Sequence, residues 1–178
     1  MKQRRDRKVV TEPTRIGLAG LDQGPIERTL RLEAPGELLG ELPLAFERVD
    51  LEVEIRRAGR DGVRARGRLA ARTTVACRRC LAPTRAEVVT EWDVMFRPSA
   101  RITPGEEGVW SLEAKAGELD LAGPVREELW VHAPAWVECS AECPGMCPSC
   151  GARLADESCD CPPPGPDPRW AALENLGG

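Results

Sequence analysis

The chain contains no tyrosine, only two phenylalanines and a single histidine, His132. Base stacking of the kind RRM and OB domains use is therefore not indicated, because Trp92 and Phe96 fall on the apolar side of a strand pattern and read as core. Neither a Gly-rich phosphate loop nor a G-x-S-x-G elbow occurs, and the carboxylates are scattered rather than paired. His132 lies toward the apolar side of a helical pattern, where a core or helix-end role is the default. These absences point to a non-enzyme without a small-molecule substrate. No apolar run approaches the roughly 20 residues that a membrane span needs. The basic opening Met-Lys-Gln-Arg-Arg-Asp-Arg-Lys leads into no apolar signal segment. The expectation is a cytoplasmic protein with no membrane partner.

Cysteine, by contrast, is plentiful: eight in 178 residues, enough length to bury a core without staples. Six lie between Cys139 and Cys161, and two form the pair Cys77-Arg-Arg-Cys80. A reducing cytosol favours metal over disulfides, with thiol redox chemistry as the other alternative. Thiolates two residues apart can face one ion, and four around Zn²⁺ close a tetrahedral site. The segment Cys147-Pro-Ser-Cys150-Gly is such a knuckle, with Gly151 free to take positive φ on the way out. Cys147, Cys150, Cys159 and Cys161 form the tightest grouping and the first choice of ligand set; Cys139 and Cys143 could join Cys77 and Cys80 in a second. A single four-cysteine site with spectator thiols stays open.

Charge is distributed unevenly. Arg56 to Arg85 holds ten arginines and one acid, a balance of +9, whereas Thr103 to Asp160 holds twelve acids and three bases, a balance of −9. The basic stretch overlaps the clearest strand patterns. Ile26–Leu32 alternates, and Val49, Leu51, Val53 and Ile55 share one face of a strand over 49–56. A turn at Ala58–Gly62, with its Asp-Gly pair, predicts a hairpin to a strand from Val63 to about Cys77. A third strand runs over about 84–96, with Ala86, Val88, Trp92, Val94 and Phe96 on one face, so Cys77–Cys80 marks a corner of an antiparallel meander. Arginines at every second position can track phosphates, with steep salt dependence. Cross-strand pairing competes: a hairpin closing near Arg60 places Glu54 opposite Arg66 and Glu52 opposite Arg68. That register leaves Arg56, Arg64, Arg72, Arg78 and Arg79 without partners, and they are the candidate RNA-binding residues, Arg78 and Arg79 foremost.

After a loop over 97–108 and a strand at Val109–Ala114, the main helix is expected at about 121–132. Asp120 caps it, and Leu121, Val125, Leu129 and His132 share a face. The fold class is α+β: a mainly antiparallel meander or partly open barrel, one main helix and a Cys-rich, zinc-knuckle-like segment. The expected divisions are a basic flexible head (1–13), a β-rich core (14–134), a metal-binding segment (135–161), and a Pro-rich spacer with a short terminal helix (162–178).

The strings C-R-R-C-L-A-P, E-L-D-L-A-G-P-V-R-E-E-L-W-V-H-A-P, the 139–161 cluster and the closing D-P-R-W-A-A-L resemble, in this order, the YceD family. The resemblance spans roughly Ile16 to Leu176. It implies a non-catalytic role in accumulation of 23S ribosomal RNA and large-subunit biogenesis, through binding of rRNA or a pre-ribosomal particle. An alternative is a protein-interaction module whose acidic half holds a basic ribosomal protein; a thiol redox switch is a second. Because some relatives keep the first CxxC but lack most C-terminal cysteines, the resemblance also implies that the C-terminal cluster is a structural clip. The arginines would then be the working surface.

Overall fold

The computed structural model describes residues 14–106, 108–112 and 117–162, together with Gly165 and Arg169. The basic head and, Arg169 apart, the terminal helix expected from the sequence lie outside these residues. Two compact units are present, and both are discontinuous in sequence: Met1–Val75 with Arg85–Ala135, and Ala76–Thr84 with Trp136–Gly178. Residues 76–84 thus group with the cysteine-rich segment.

The first unit is built on a five-stranded sheet. Its strands are β2 (Ile26–Glu33), β3 (Phe46–Ala58), β4 (Gly62–Ala76), β5 (Pro83–Arg97) and β6 (Val109–Ser111), in that spatial order. The order begins at β2 and ends at β6, so the sheet is open rather than barrel-like. Alternation dictates its faces. Val49, Leu51, Val53 and Ile55 of β3 are buried, as are Val63, Ala65, Leu69 and Ala71 of β4 and Val88, Trp92, Val94 and Phe96 of β5. Each Val, Leu, Ile or Phe side chain among them contributes about 1.5–3 kcal/mol by leaving water, before the entropy cost is subtracted. A one-residue slip would turn the whole set outward, so the burial pins the register.

That register agrees with the charge pairing expected from the sequence: Glu54 lies opposite Arg66 and Glu52 opposite Arg68. The turn differs from expectation. Ala58 pairs with Gly62, so the connection is the three residues Gly59–Asp61, and the positive φ falls at Gly59 rather than on the Asp-Gly pair. The meander is antiparallel from β2 to β4. Ion pairs Arg64–Asp93 and Arg72–Glu87 step in opposite directions along β4 and β5, which continues the antiparallel sense. β6 departs from it by pairing parallel to β5, Phe96 beside Trp110.

Three further elements lie outside the periodic patterns described above. β1 (Arg15–Gly17) and β7 (Glu118–Asp120) form a separate two-stranded antiparallel ladder, and a single helical turn, α1 (Gly36–Leu39), follows β2. The main helix, α2, runs over Ala122–Val131 and packs against α1. Asp120 sits just ahead of it and accepts the Ala122 N–H at 2.9 Å and the Thr14 hydroxyl at 2.8 Å. Burial alone would raise the Asp120 pKa, but these bonds and Arg15 hold it below its ordinary value. Leu121, Val125 and Leu129 are buried as expected. His132 is not on their face: it caps the exposed C-terminal end of α2, with Nδ1 3.3 Å from Glu128. Among the described residues no helix is long and apolar enough to cross a membrane.

Candidate metal centres

The second unit gathers all eight cysteines into two groups: Cys77, Cys80, Cys139 and Cys143, and Cys147, Cys150, Cys159 and Cys161. Within each group the four sulfurs lie within 4.8 Å of one another. Both groups coincide with the ligand sets proposed from spacing.

Each group is founded on a knuckle, and the two knuckles share one backbone design. In the first, the Cys77 N–H donates to the Ala82 carbonyl at 2.8 Å and the Leu81 N–H donates back to the Cys77 carbonyl at 2.9 Å. In the second, Cys147 N–H donates to Ala152 O at 2.8 Å and Gly151 N–H to Cys147 O at 2.9 Å. The fourth residue after the leading cysteine must take positive φ, and it does so in both, at 60° for Leu81 and 76° for Gly151. Glycine adopts that region freely; a leucine there costs about 1–2 kcal/mol.

The knuckles aim N–H groups at sulfur. Arg79 N–H and Cys139 N–H both donate to Cys77 Sγ at 3.4 Å. Donation from the Cys80 amide, with Arg79 and Cys139, draws the Cys77 thiol down to about 6. The Cys150 and Ser149 amides do the same for Cys147, also to about 6. The partners respond in the opposite sense. Cys139 is pushed up to about 12 by the Cys143 and Cys80 sulfurs, and Cys161 up to about 12 by Cys150, Cys159 and Cys147. Four crowded sulfurs cannot all ionise unless a cation is placed among them.

The donor set fits a zinc ion. Cys77 and Cys143 sulfurs are 3.9 Å apart and Cys80 and Cys139 sulfurs 3.7 Å. With Zn–S near 2.3 Å, the edge of an S₄ tetrahedron is about 3.8 Å. A disulfide would need about 2.05 Å. The two sets differ in exposure. Cys77, Cys80 and Cys143 are buried with only Cys139 exposed, and Ala82 and Met146 pack against them; in the other set only Cys147 is buried.

The arginine candidates are split between the units. Arg56, Arg64 and Arg72 lie on the exposed face of β3 and β4, whereas Arg78 and Arg79 belong to the first knuckle. Four of the five have an acidic partner, contrary to the expectation that the hairpin register leaves them unpaired. Arg56 reaches Glu54 on its own strand at 2.7 Å, a carboxylate that Arg66 shares at 2.9 Å. Arg64 and Arg72 meet Asp93 and Glu87 of β5, and Arg78 meets Glu138. Reading the β3–β4 pair alone missed acids supplied by the third strand and by the cysteine-rich segment. Among the described residues, Arg79 has no ion pair.

Trp136 also escaped the sequence reading, because it sits between Pro134 and Cys139 in no periodic element. The residue is 77% exposed, and the Arg78 guanidinium lies 5.4 Å from the centroid of its ring. A concavity of about 390 Å³ in the first unit is lined by Arg60, Asp61, Met95, Arg97 and Arg101, with no histidine, cysteine or serine in its wall.

The family described as large ribosomal RNA subunit accumulation protein YceD matches residues 65–177. An uncharacterized protein of Mycobacterium tuberculosis (strain ATCC 25618 / H37Rv) is 29% identical over 181 residues, covering 95% of this chain and 84% of that one. An uncharacterized protein of Mycobacterium leprae is 26% identical over 131 residues, 72% of this chain and 58% of its own. No solved structure matches the chain.

Proposed function

The chain belongs to the YceD family of large ribosomal RNA subunit accumulation proteins, and on that premise we propose that it is a zinc-clipped, non-catalytic accessory factor in 23S rRNA accumulation. It acts in the cytoplasm by binding 23S rRNA or a pre-ribosomal particle. The observation that carries the reading is the family match itself, which begins in the arginine strand β4 and runs through both cysteine sets.

In this reading zinc has a structural task. Each four-cysteine set would hold one ion, which would supply a structural crosslink in a segment with few apolar residues of its own. The chain's residues do the rest. Knuckle amides stabilise thiolate at Cys77 and Cys147, and the Cys77–Cys143 link spans 66 residues of sequence. A non-catalytic role is supported by His132, whose ring is engaged by Glu128 and Thr90 at a helix end. Because Arg56, Arg64, Arg72 and Arg78 are ion-paired, RNA phosphates would compete with carboxylates for them. Binding then rests on fewer free charges than ten arginines suggest.

The test is binding of a 23S rRNA fragment at several salt concentrations, beside pull-down from lysate with and without ribonuclease. The reading expects affinity that falls with salt and a 23S-containing complex that ribonuclease removes. A ribosomal protein retained after ribonuclease, with no affinity for the fragment, would instead establish a protein-holding module.

A further inference from the structure

Trp136 is largely exposed in a chain with few aromatics, yet it is not left loose. The Arg78 guanidinium lies 5.4 Å from the ring centroid, within cation–π range. That guanidinium is itself held, because Arg78 Nε donates to Glu138 at 2.6 Å. The backbone is pinned as well: Arg78 N–H donates to the Val137 carbonyl at 2.9 Å, and Cys139 N–H reaches Cys77 Sγ. Ring and guanidinium are therefore fixed by the same turn that sets the first cysteine group. Arg79, the next residue along this turn, has no ion pair among the described residues. Leu81, at the end of the turn, is 61% exposed and held at positive φ, where glycine would be unstrained. Strain kept for the sake of a displayed side chain points to a contact surface.

From this geometry we infer that Trp136, stacked on Arg78, is a platform for one unpaired base of single-stranded RNA, with Arg79 taking an adjoining phosphate and Leu81 flanking the base. The inference rests on the RNA-binding reading above and gives it a site. A planar indole with a guanidinium behind it asks for a flat π-face, and an unpartnered arginine asks for an anion. A nucleotide offers both at the spacing of neighbouring groups on one turn. Such a platform takes any base and follows no sequence, so its ligand class is unpaired RNA rather than duplex.

The experiment uses the full chain with its metal and a single-stranded oligoadenylate of about ten nucleotides, a length within the usual site size. Affinity is measured by titration of tryptophan fluorescence and, independently, by anisotropy of labelled RNA. Trp136→Ala weakens binding by roughly five- to 150-fold, the range expected for loss of one stack. It also removes part of the quenching, while Trp136→Phe keeps most of the affinity. Arg79→Ala lowers the slope of log affinity against log salt by about one. Zinc content and far-UV spectrum of each variant are measured alongside, so that misfolding is not read as lost contact. If Trp136→Ala binds oligoadenylate and a 23S fragment like the parent, the platform is wrong and the RNA reading stands. If the parent binds neither RNA, both fall. If Trp136→Ala loses only a protein partner that survives ribonuclease, the surface is a protein-docking site and the inference is overturned.

Discussion

Adding a single methyl group at Gly67 tests the hairpin on which the register argument depends. Gly67 lies opposite Val53, between the pairs Glu54–Arg66 and Glu52–Arg68. A Cβ built there falls 1.8 Å from the Glu52 carbonyl oxygen, 2.7 Å from its carbon and 3.0 Å from Val53 Cα. All three obstacles are backbone, so no rotamer change relieves them and β3 must move away by more than an ångström. Such a shift takes ladder hydrogen bonds beyond their usual length of about 3 Å. Losing two costs about 1–3 kcal/mol together, and the overpacking itself about 1–3 kcal/mol. Gly67→Ala should therefore cost about 2–6 kcal/mol, a large share of the 5–15 kcal/mol typical of a domain. The control is Gly36→Ala, where nothing lies within 4 Å and φ is not positive; there the change should be neutral or slightly stabilising. Urea unfolding followed by circular dichroism reads both. A Gly67→Ala loss below about 1 kcal/mol, no larger than the control, would refute the close approach and the register built on it.

Acid should weaken the hairpin in a defined window. The hydrogen bond from Arg56, with that from Arg66, holds Glu54 down at about 2 from its ordinary 4.5, so its contribution is complete above pH 4.5 and disappears as pH falls toward 2. Glu54→Gln should flatten stability against pH over that interval, as measured by urea midpoints. Leu81→Gly should relieve the positive-φ strain and, after the extra freedom of the unfolded chain is counted, raise stability by about 0.5 kcal/mol; a clear loss would show that Leu81 is held by packing. The two cysteine sets should also differ in weight. Cys143→Ser opens a crosslink spanning 66 residues, worth roughly 4 kcal/mol by loop entropy, whereas Cys159→Ser opens one spanning 12 residues, worth roughly 3 kcal/mol. Equal losses, or a greater loss for Cys159→Ser, would contradict the assigned partition.

The strands were legible because one face of each is buried and the other wet. Val49 to Ile55 alternate without a break, and a hairpin closing near Arg60 then sets Glu54 opposite Arg66, as in the structure. The cysteine grouping was legible because spacing limits which sulfurs a short turn can bring together. Spacing offered the union of Cys77 and Cys80 with Cys139 and Cys143, but not that the whole of 76–84 groups with Trp136 onward, since that association is tertiary. The three-residue β1 and β7 are too short for periodicity to register. Parallel pairing of β6 depends on how the 97–108 loop returns, which no local pattern encodes. Arginine pairing was misjudged for a related reason. The acids facing Arg64 and Arg72 come from β5, and a two-strand view of a three-strand surface leaves them out. His132 does not continue the face of Leu121, Val125 and Leu129, because α2 ends at Val131 and the ring turns out at its cap.

The central question is whether the two cysteine sets each hold a metal ion. Protein purified without added zinc, analysed for metal and then for anomalous scattering at the zinc edge, answers this directly. The expected result is two zinc equivalents per chain, one peak inside Cys77, Cys80, Cys139 and Cys143 and the other inside Cys147, Cys150, Cys159 and Cys161. Less than half an equivalent with all eight thiols reactive, or a peak shared between the sets, would contradict it.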